Sequence, residues 1–295
     1  MKILDGKEAS QAIKDSLASK IKVLISANRR PPHLAAILIG NNGASETYVA
    51  SKIKNCADIG FKSSLIRLHE NASQEELAST ILQLNIDKDI DGILVQLPLP
   101  KHINEAEIIN IIDPGKDVDG FHPINAGRML LGQHGFIPAT PFGIMLLLNH
   151  YEIPMEGKHA VVIGRSNIVG RPMATLLSQN NKNANCTVTL CHSKTKNLKE
   201  ICLQADVIIA ALGMPGFLKA NMVKEGAVIV DVGITRVTDA LKKSGFTLKG
   251  DVDFELVSKK ANYISPVPGG VGPMTIAALL LNTFAAYEKN VAGQQ

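Results

Sequence analysis

The strongest constraint on the fold of this chain is a rhythm: short apolar runs alternate with longer amphipathic stretches almost from end to end. Such alternation predicts a mainly parallel α/β architecture. An opening helix over residues 7–27 precedes strand-like runs at 34–40, 64–69 and 92–96, with helical stretches near 45–59 and 73–85. Residues 113–135 break the rhythm with Pro, Gly and Asp, and a helix resumes over 141–150. A second series starts at 159–164. Its later strands fall near 187–192, 207–211 and 228–232, with a short one near Tyr263. Helices fit at 171–179 and 198–204, and a Gly/Pro-dense stretch over 266–273 leads into a final apolar helix, 274–287. The two series place a domain boundary near residue 140.

A chain of 295 residues has room for two domains of ordinary size. With 45% apolar and 20% charged residues, its composition is that of a globular protein rather than a disordered one. The net charge of +4 is small and scattered, with no basic block and no aromatic-studded basic strand, which argues against nucleic acid as a partner. No apolar segment approaches a signal peptide or a membrane span, so a cytoplasmic protein with no membrane partner is expected. Cys56, Cys186, Cys191 and Cys202 form no Cys-x-x-Cys pair and no His-bearing ligand cluster. They read as buried thiols in a reducing compartment, and no metal site is expected.

The second series opens with a nucleotide-type turn. Ala160, Val161, Val162 and Ile163 run into Gly164, then Arg165, Ser166, Asn167, Ile168, Val169 and Gly170 lead to Arg171 and Pro172. A glycine at a strand end permits a tight turn, and the helix N-terminus behind it offers amides and a positive dipole end to a pyrophosphate. Pro172 suits a first helical turn, where its missing donor is harmless. The spacing departs from Gly-x-Gly-x-x-Gly, with Ser166 in the middle position, and a plain strand–turn–helix corner is the competing reading. The next strand ends Leu190, Cys191, His192, Ser193, Lys194, Thr195, without the carboxylate that usually binds the ribose hydroxyls of NAD. A hydroxyl and cations there, with Arg165 beside the turn, suit a 2′-phosphate, so NADP is preferred over NAD.

Tyr48 and Lys52 lie one helical turn apart, more than a hundred residues upstream of that turn. Asn42 and Gly43 turn the chain, and Ser45 can cap the helix that follows. Val49, Ile53 and Cys56 mark its buried stripe. Tyr48, Lys52 and Asn55 form the adjoining row, while Lys54 points well round toward the opposite face. A lysine snorkelling beside a packed tyrosine is the alternative for this helix taken alone. In short-chain dehydrogenases a Tyr-x-x-x-Lys pair follows the dinucleotide turn; here the order is reversed.

Three further segments carry polar groups at places suited to a ligand. The strand 92–96 ends in Gln96, before Leu97, Pro98, Leu99 and Pro100, and the carboxyl ends of parallel strands are where ligands bind. Lys116, Asp117, Val118, Asp119 and Gly120 put two carboxylates around one apolar residue. The segment 266–275 has glycines that permit close backbone approach and a proline that opens a helix. It is compatible either with an anion site or with a simple chain reversal.

Jointly and in this order, these segments resemble the bifunctional methylenetetrahydrofolate dehydrogenase/cyclohydrolase (FolD) family over nearly the whole chain. The resemblance rests on Ser45, Tyr48, Val49 and Lys52, on 95–100, on 116–120, on Thr140-Pro141-x-Gly143, on the turn 164–172, and on 266–275. Ala139 stands where many relatives have cysteine. The fold class implied is two α/β domains: a folate-binding catalytic domain over 1–140 plus 271–295, and a Rossmann-like NADP-binding domain over 141–270. The C-terminal helix would return to the first domain. The implied chemistry is oxidation of 5,10-methylenetetrahydrofolate by NADP, then hydrolysis of the methenyl cation to 10-formyltetrahydrofolate. Family motif assigns Lys52 as the acid/base group, Tyr48 as a folate contact, Gln96 as the residue that positions Lys52, and Asp119 as the pterin holder. Leu97, Pro98, Pro268, Gly269, Gly270 and Thr275 are further implied substrate contacts. The implied cofactor residues are Thr140, Gly164, Arg165, Ser166, Ile168, Val169, Gly170, His192, Ser193, Ala211, Gly213, Gly233, Ile234 and Thr235. A homodimer formed through the nucleotide domain is implied as well. The competing readings are another two-domain NADP reductase, such as a shikimate dehydrogenase, and a nucleotide- or folate-binding protein without catalysis.

Overall fold

The structure, a computed structural model, describes residues 1–240, 242 and 245–292. Two compact units form. One comprises 12–139 with the chain from Ile276 onward, and the other comprises 1–11 with 140–275. The chain opens with strand β1 (Lys2–Ile3) and helix α1 (Gly6–Ser26), then runs through β2 (His33–Ile39), α2 (Gly43–Ile59), β3 (Lys62–Leu68), α3 (Gln74–Ile86), β4 (Gly92–Val95), α4 (Glu105–Ile111) and α5 (Pro123–Leu130). The second series is α6 (Ala139–His150), β5 (His159–Ile163), α7 (Gly170–Ser178), β6 (Thr187–Cys191), α8 (Leu198–Gln204), β7 (Val207–Ala210), β8 (Val228–Asp231), β9 (Thr235–Thr238), β10 (Phe246–Lys249), α9 (Phe254–Val257), β11 (Tyr263–Ile264) and α10 (Val271–Ala292).

The first unit carries a parallel sheet ordered β3-β2-β4, and all seven residues of the central strand are buried. Full burial needs cover on both faces, which is why β2 reads as an unbroken apolar run rather than an alternation. Each large aliphatic side chain buried there contributes about 1.5–3 kcal/mol. That is of the same order as the backbone ordering cost of about 1–2 kcal/mol per residue. The second unit holds a parallel sheet ordered β1-β11-β8-β7-β5-β6. In both sheets the first strand of the series, β2 or β5, lies between its next two successors, which pair on its opposite sides and create a crevice at the carboxyl ends.

The amino ends of β2 and β5 are anchored in the same way. The buried His33 bonds through Nδ1 to the Asp89 carbonyl and through Nε2 to Ser64 Oγ, and its backbone N–H donates to Asp91. His159 bonds through Nδ1 to the Gln204 carbonyl and through Nε2 to Thr189 Oγ1, with its N–H donating to Asp206. Each aspartate is held by a cation, Arg30 on Asp91 and Lys224 on Asp206. Burial lowers the His33 pKa, and the Lys62 charge adds to that effect. His33 is therefore neutral, with Nδ1–H donating to the carbonyl and Nε2 accepting from the serine hydroxyl.

Several elements depart from the sequence expectation. Residues 1–11 group with the second series because β1 pairs in parallel with β11. A strand of two exposed residues has no periodicity to betray it. The antiparallel hairpin β9–β10 is also unanticipated, its short strands carrying alternating exposed residues such as Arg236. Helices α4 and α9 are similarly too short to show a period, and α5 falls inside the stretch expected to be irregular. Helix α10 divides at Thr275, its later part belonging to the first unit; residues 293–295 of the expected first domain lie outside the described residues.

That later part is fastened by the buried Asn282, whose Nδ2 donates to the Val118 and Ile137 carbonyls at 2.8 and 2.9 Å. Asn282→Ala strips both carbonyls of a partner, at a cost of about 1–3 kcal/mol. A thermal midpoint lowered by several degrees is expected in calorimetry, and an unchanged midpoint would refute the clamp.

Candidate active site

Helix α2 begins four residues beyond β2, and β4 ends at Val95, paired with Ile37 of β2. The Gln96 amide continues that ladder by donating to the Ile37 carbonyl. On α2, Val49 and Cys56 are buried, Lys52 is half-buried and Lys54 is exposed, as the helical spacing predicts. Tyr48, one turn before Lys52, is 42% exposed, enough to offer a ring face to a ligand. Lys52 Nζ donates to Gln96 Oε1 at 3.2 Å, and Gln96 Nε2 donates to the Leu97 carbonyl at 2.7 Å, which fixes which end of the amide faces the lysine. The Leu97–Pro98 peptide is cis.

Asp119 is buried close by. Burial raises its pKa, and the Lys52 charge opposes that rise. Lys52, Gln96 and Asp119 are thus one electrostatic group, with Tyr48 on the same helix as the lysine. The neighbouring Asp117 does different work. It accepts from the Phe121 and His122 amides at 3.2 and 2.8 Å and from Asn125 Nδ2 at 2.9 Å, shaping the loop that leads into α5. Lys116 Nζ donates to the Leu84 and Asp87 carbonyls, tying the same segment to the C-terminal end of α3.

In the second unit, Cys191, Ile163, Ala210 and Asp231 form one rung across β6, β5, β7 and β8. The residues expected to hold the nucleotide lie just past it: Gly164 to Gly170 after β5, His192 and Ser193 after β6, Ala211 and Gly213 after β7, and Gly233 to Thr235 after β8. Gly164 has φ +120°, and a Cβ there would overlap the Ala211 carbonyl; a Cβ on Gly170 would overlap the Gly164 carbonyl. The turn is therefore packed backbone to backbone. Ser166 Oγ closes it by accepting from the Val169 and Gly170 amides at 3.1 and 3.4 Å. Arg165, Ile168, Ser193 and Lys194 are exposed, Arg165 and Ser193 each standing two residues beyond the rung.

The remaining expected contacts belong to the second unit as well. Thr275 Oγ1 donates to Thr140 Oγ1 at 3.2 Å, and the Gly6 amide donates to the Gly269 carbonyl at 2.9 Å, anchoring the loop that holds Pro268, Gly269 and Gly270. Asp117, Asp231, Asp251 and Asn282 have framing roles that motif spacing does not assign. A signal for two of them was present: Asp-Val-Asp occurs at 117–119 and again at 251–253, and the first aspartate of each is a buried acceptor of backbone amides. Among the described residues no cluster of three or more His, Cys, Asp or Glu is arranged to hold a metal, and no helix is long and apolar enough to cross a membrane.

Residues 4–119 match the family described as "Tetrahydrofolate dehydrogenase/cyclohydrolase, catalytic domain", and 138–291 match "Tetrahydrofolate dehydrogenase/cyclohydrolase, NAD(P)-binding domain". The chain belongs to the tetrahydrofolate dehydrogenase/cyclohydrolase family. It is 59% identical to a protein of Flavobacterium johnsoniae named "Bifunctional protein FolD", over 97% of each chain. The solved structure of the Campylobacter jejuni bifunctional FolD is 53% identical, with a TM-score of 0.92 over 98% of this chain and 99% of that one. A Trypanosoma brucei FolD, solved with NADP and an inhibitor, is 37% identical with a TM-score of 0.93 over 97% of each chain. Within this tetrahydrofolate dehydrogenase/cyclohydrolase fold, the Lys52 group lies in the part matched as catalytic and the 164–170 turn in the part matched as NAD(P)-binding.

Burial pushes Asp117 up to about 6, against the bonds from Asn125 and the His122 and Phe121 amides, with the Asp119 charge adding to the rise. An unfolded aspartate titrates near 3.8. Between these values the folded state holds the extra proton, so the contribution of Asp117 to stability is largest in acid and falls as pH rises. Relative to Asp117→Asn, the wild-type protein should lose up to about 3 kcal/mol between about pH 4 and 7, read from urea unfolding. A pH-independent difference would contradict this.

Proposed function

We propose that this protein oxidises 5,10-methylenetetrahydrofolate with NADP and hydrolyses the resulting 5,10-methenyl cation to 10-formyltetrahydrofolate. The observation that carries the reading is the Lys52 Nζ to Gln96 Oε1 contact at 3.2 Å beside the buried Asp119, in a chain of this family. Lys52 is the proton handler. A lysine amine at this place can take a proton from the attacking water and return one as the ring opens. Gln96 holds the amine through a neutral oxygen, which orients it without locking it as an ammonium, as a carboxylate would. The Gln96 bond to the Leu97 carbonyl keeps that oxygen turned toward Lys52.

Asp119 accepts the adjacent N–H groups of a pterin edge, a bidentate contact suited to a carboxylate. Its buried position strengthens that contact and makes its ionised form dependent on nearby positive charge. Tyr48 lies against the aminobenzoyl ring. Leu97 and Pro98 add apolar contact, and Pro268, Gly269, Gly270 and Thr275 are proposed as further substrate contacts.

NADP, when bound, accepts the hydride. Gly164, Arg165, Ser166, Ile168, Val169 and Gly170 are the proposed pyrophosphate and adenosine side of its site, with His192 and Ser193. Thr140, Ala211, Gly213, Gly233, Ile234 and Thr235 complete it. Support for the 2′-phosphate comes from the exposed Arg165 and Ser193 beyond one rung, with no carboxylate among residues 192–195. A homodimer in the cytoplasm, associating through the nucleotide-binding unit, is part of this proposal, and sedimentation of the full chain tests the assembly. No nucleic-acid partner is proposed.

The deciding assay follows absorbance with methylenetetrahydrofolate and either NADP or NAD. Hydride transfer depends chiefly on distance and orientation, so the two activities separate by mutation. Lys52→Met should abolish methenyl hydrolysis while retaining some NADP reduction; unchanged hydrolysis in the folded variant would sink the assignment. Arg165→Ala combined with Ser193→Ala should weaken NADP much more than NAD, and equal losses would count against the 2′-phosphate site.

A further inference from the structure

Two buried carboxylates, apart from the group assigned to proton transfer, organise the carboxyl ends of β7 and β8. Asp251 Oδ2 accepts from the Leu212 and Gly213 amides at 2.5 and 2.9 Å, and its Oδ1 accepts from Met214 at 2.7 Å. Asp231 Oδ1 accepts from the Gly233 and Asp251 amides at 3.0 and 2.8 Å, and its Oδ2 accepts from Val252 at 3.0 Å. The two residues are 0% and 3% exposed. They fill their space completely: a Cβ on Gly233 would overlap the Asp251 carboxylate, and one on Gly250 would overlap that of Asp231. Six backbone amides from three loops therefore converge on two carboxyl groups, and the Asp251 amide links one to the other.

We infer that Asp251 and Asp231 are positioning residues for the dinucleotide, holding segments 211–214 and 233–235 in the conformation that receives it without touching it. The inference rests on the NADP reading above. Two carboxyl groups buried together are a poor route to stability, because burial and mutual repulsion both oppose their ionisation. What the pair provides is direction. Each carboxylate turns the amides of its loops inward, so the outward backbone of 211–214 and 233–235 has one fixed arrangement. Burial pushes Asp231 up to about 7 against its bonds from the Asp251, Val252 and Gly233 amides, with the Asp251 charge adding to the rise. The link is also continuous, because the Asp251 carbonyl accepts from Leu218 at 2.9 Å and so ties the chain beyond 214 to the same centre.

The test uses the full chain and two variants. Asp251→Leu keeps the branching of the side chain, at larger volume, and removes every acceptor, whereas Asp251→Asn keeps one oxygen and sets an amide against one N–H. NADP affinity measured without folate should fall at least about tenfold in Asp251→Leu and less in Asp251→Asn. Nucleotide-free hydrolysis of methenyltetrahydrofolate should stay within about twofold of wild type. Equal losses of NADP binding and hydrolysis would reduce the pair to a general structural role and overturn the inference. Should Asp251→Leu not fold, amide exchange of the wild-type protein decides: Leu212, Gly213 and Met214 should be protected without NADP, and rapid exchange there would overturn it. A wild-type protein that binds no NADP overturns the functional reading itself. One that binds it as tightly as Asp251→Leu does overturns only this inference.

Discussion

The central strands of both sheets are apolar along their buried length, so polar groups are pushed to the strand ends. In β2, β5 and β8 the polar residue is terminal: His33, His159 and Asp231. A polar group in mid-strand would need a partner where neighbouring strands already consume the backbone donors and acceptors. The amino ends use this displacement for anchoring, through the two histidine–aspartate arrangements. The carboxyl ends, where the strand order reverses, collect Gln96 in one sheet and the Gly164 turn and Asp231 in the other. Chemistry and anchoring are thus separated to opposite edges by one packing requirement.

Buried carboxylates then shape what the strand ends present. Asp117 and Asp251 each begin an Asp-Val-Asp segment, and each gathers backbone amides from the chain around it. Their partners two residues later diverge: Asp119 is buried within the influence of Lys52, and Asp253 pairs with Lys219 near the surface. The same three letters therefore supply an amide-binding frame in both places, and a buried second carboxylate beside a lysine-bearing helix face in only one. Asn282 adds a further fastening, because the carbonyls it holds flank the Asp119 loop in space.

Much of this was legible beforehand. The alternation of apolar runs located the main strands, since a parallel strand covered on both faces has to be apolar throughout. Helical spacing separated Lys52 from Lys54, and the reversed order of the Tyr48/Lys52 pair and the nucleotide turn pointed away from short-chain dehydrogenases. The glycines of the turn carried their meaning because backbone packs on backbone there. Strand β1 was not legible because its partner β11 lies near the other end of the chain, and the β9–β10 hairpin was not because its two four-residue strands are too short to set up a pattern. The resemblance implies a pterin-holding role for Asp119, but nothing local distinguishes Asp117 from Asp119, and the frame role of Asp117 emerges only when the Phe121 and His122 amides fold back onto it.

The sequence by itself determined the two α/β series, the family, and the residue types that a folate site and a nucleotide turn require, because periodicity, turn chemistry and motif order are local properties. Tertiary structure decided which of those residues meet. It set the Gln96 oxygen against Lys52 through a bond to the Leu97 carbonyl, placed residues 1–11 in the second unit, and converted Asp231 and Asp251 from ordinary loop residues into a buried hub. Each of these outcomes rests on hydrogen bonds between segments far apart in the chain or on a side-chain amide turned by its own neighbour. Neither leaves a trace in composition or spacing.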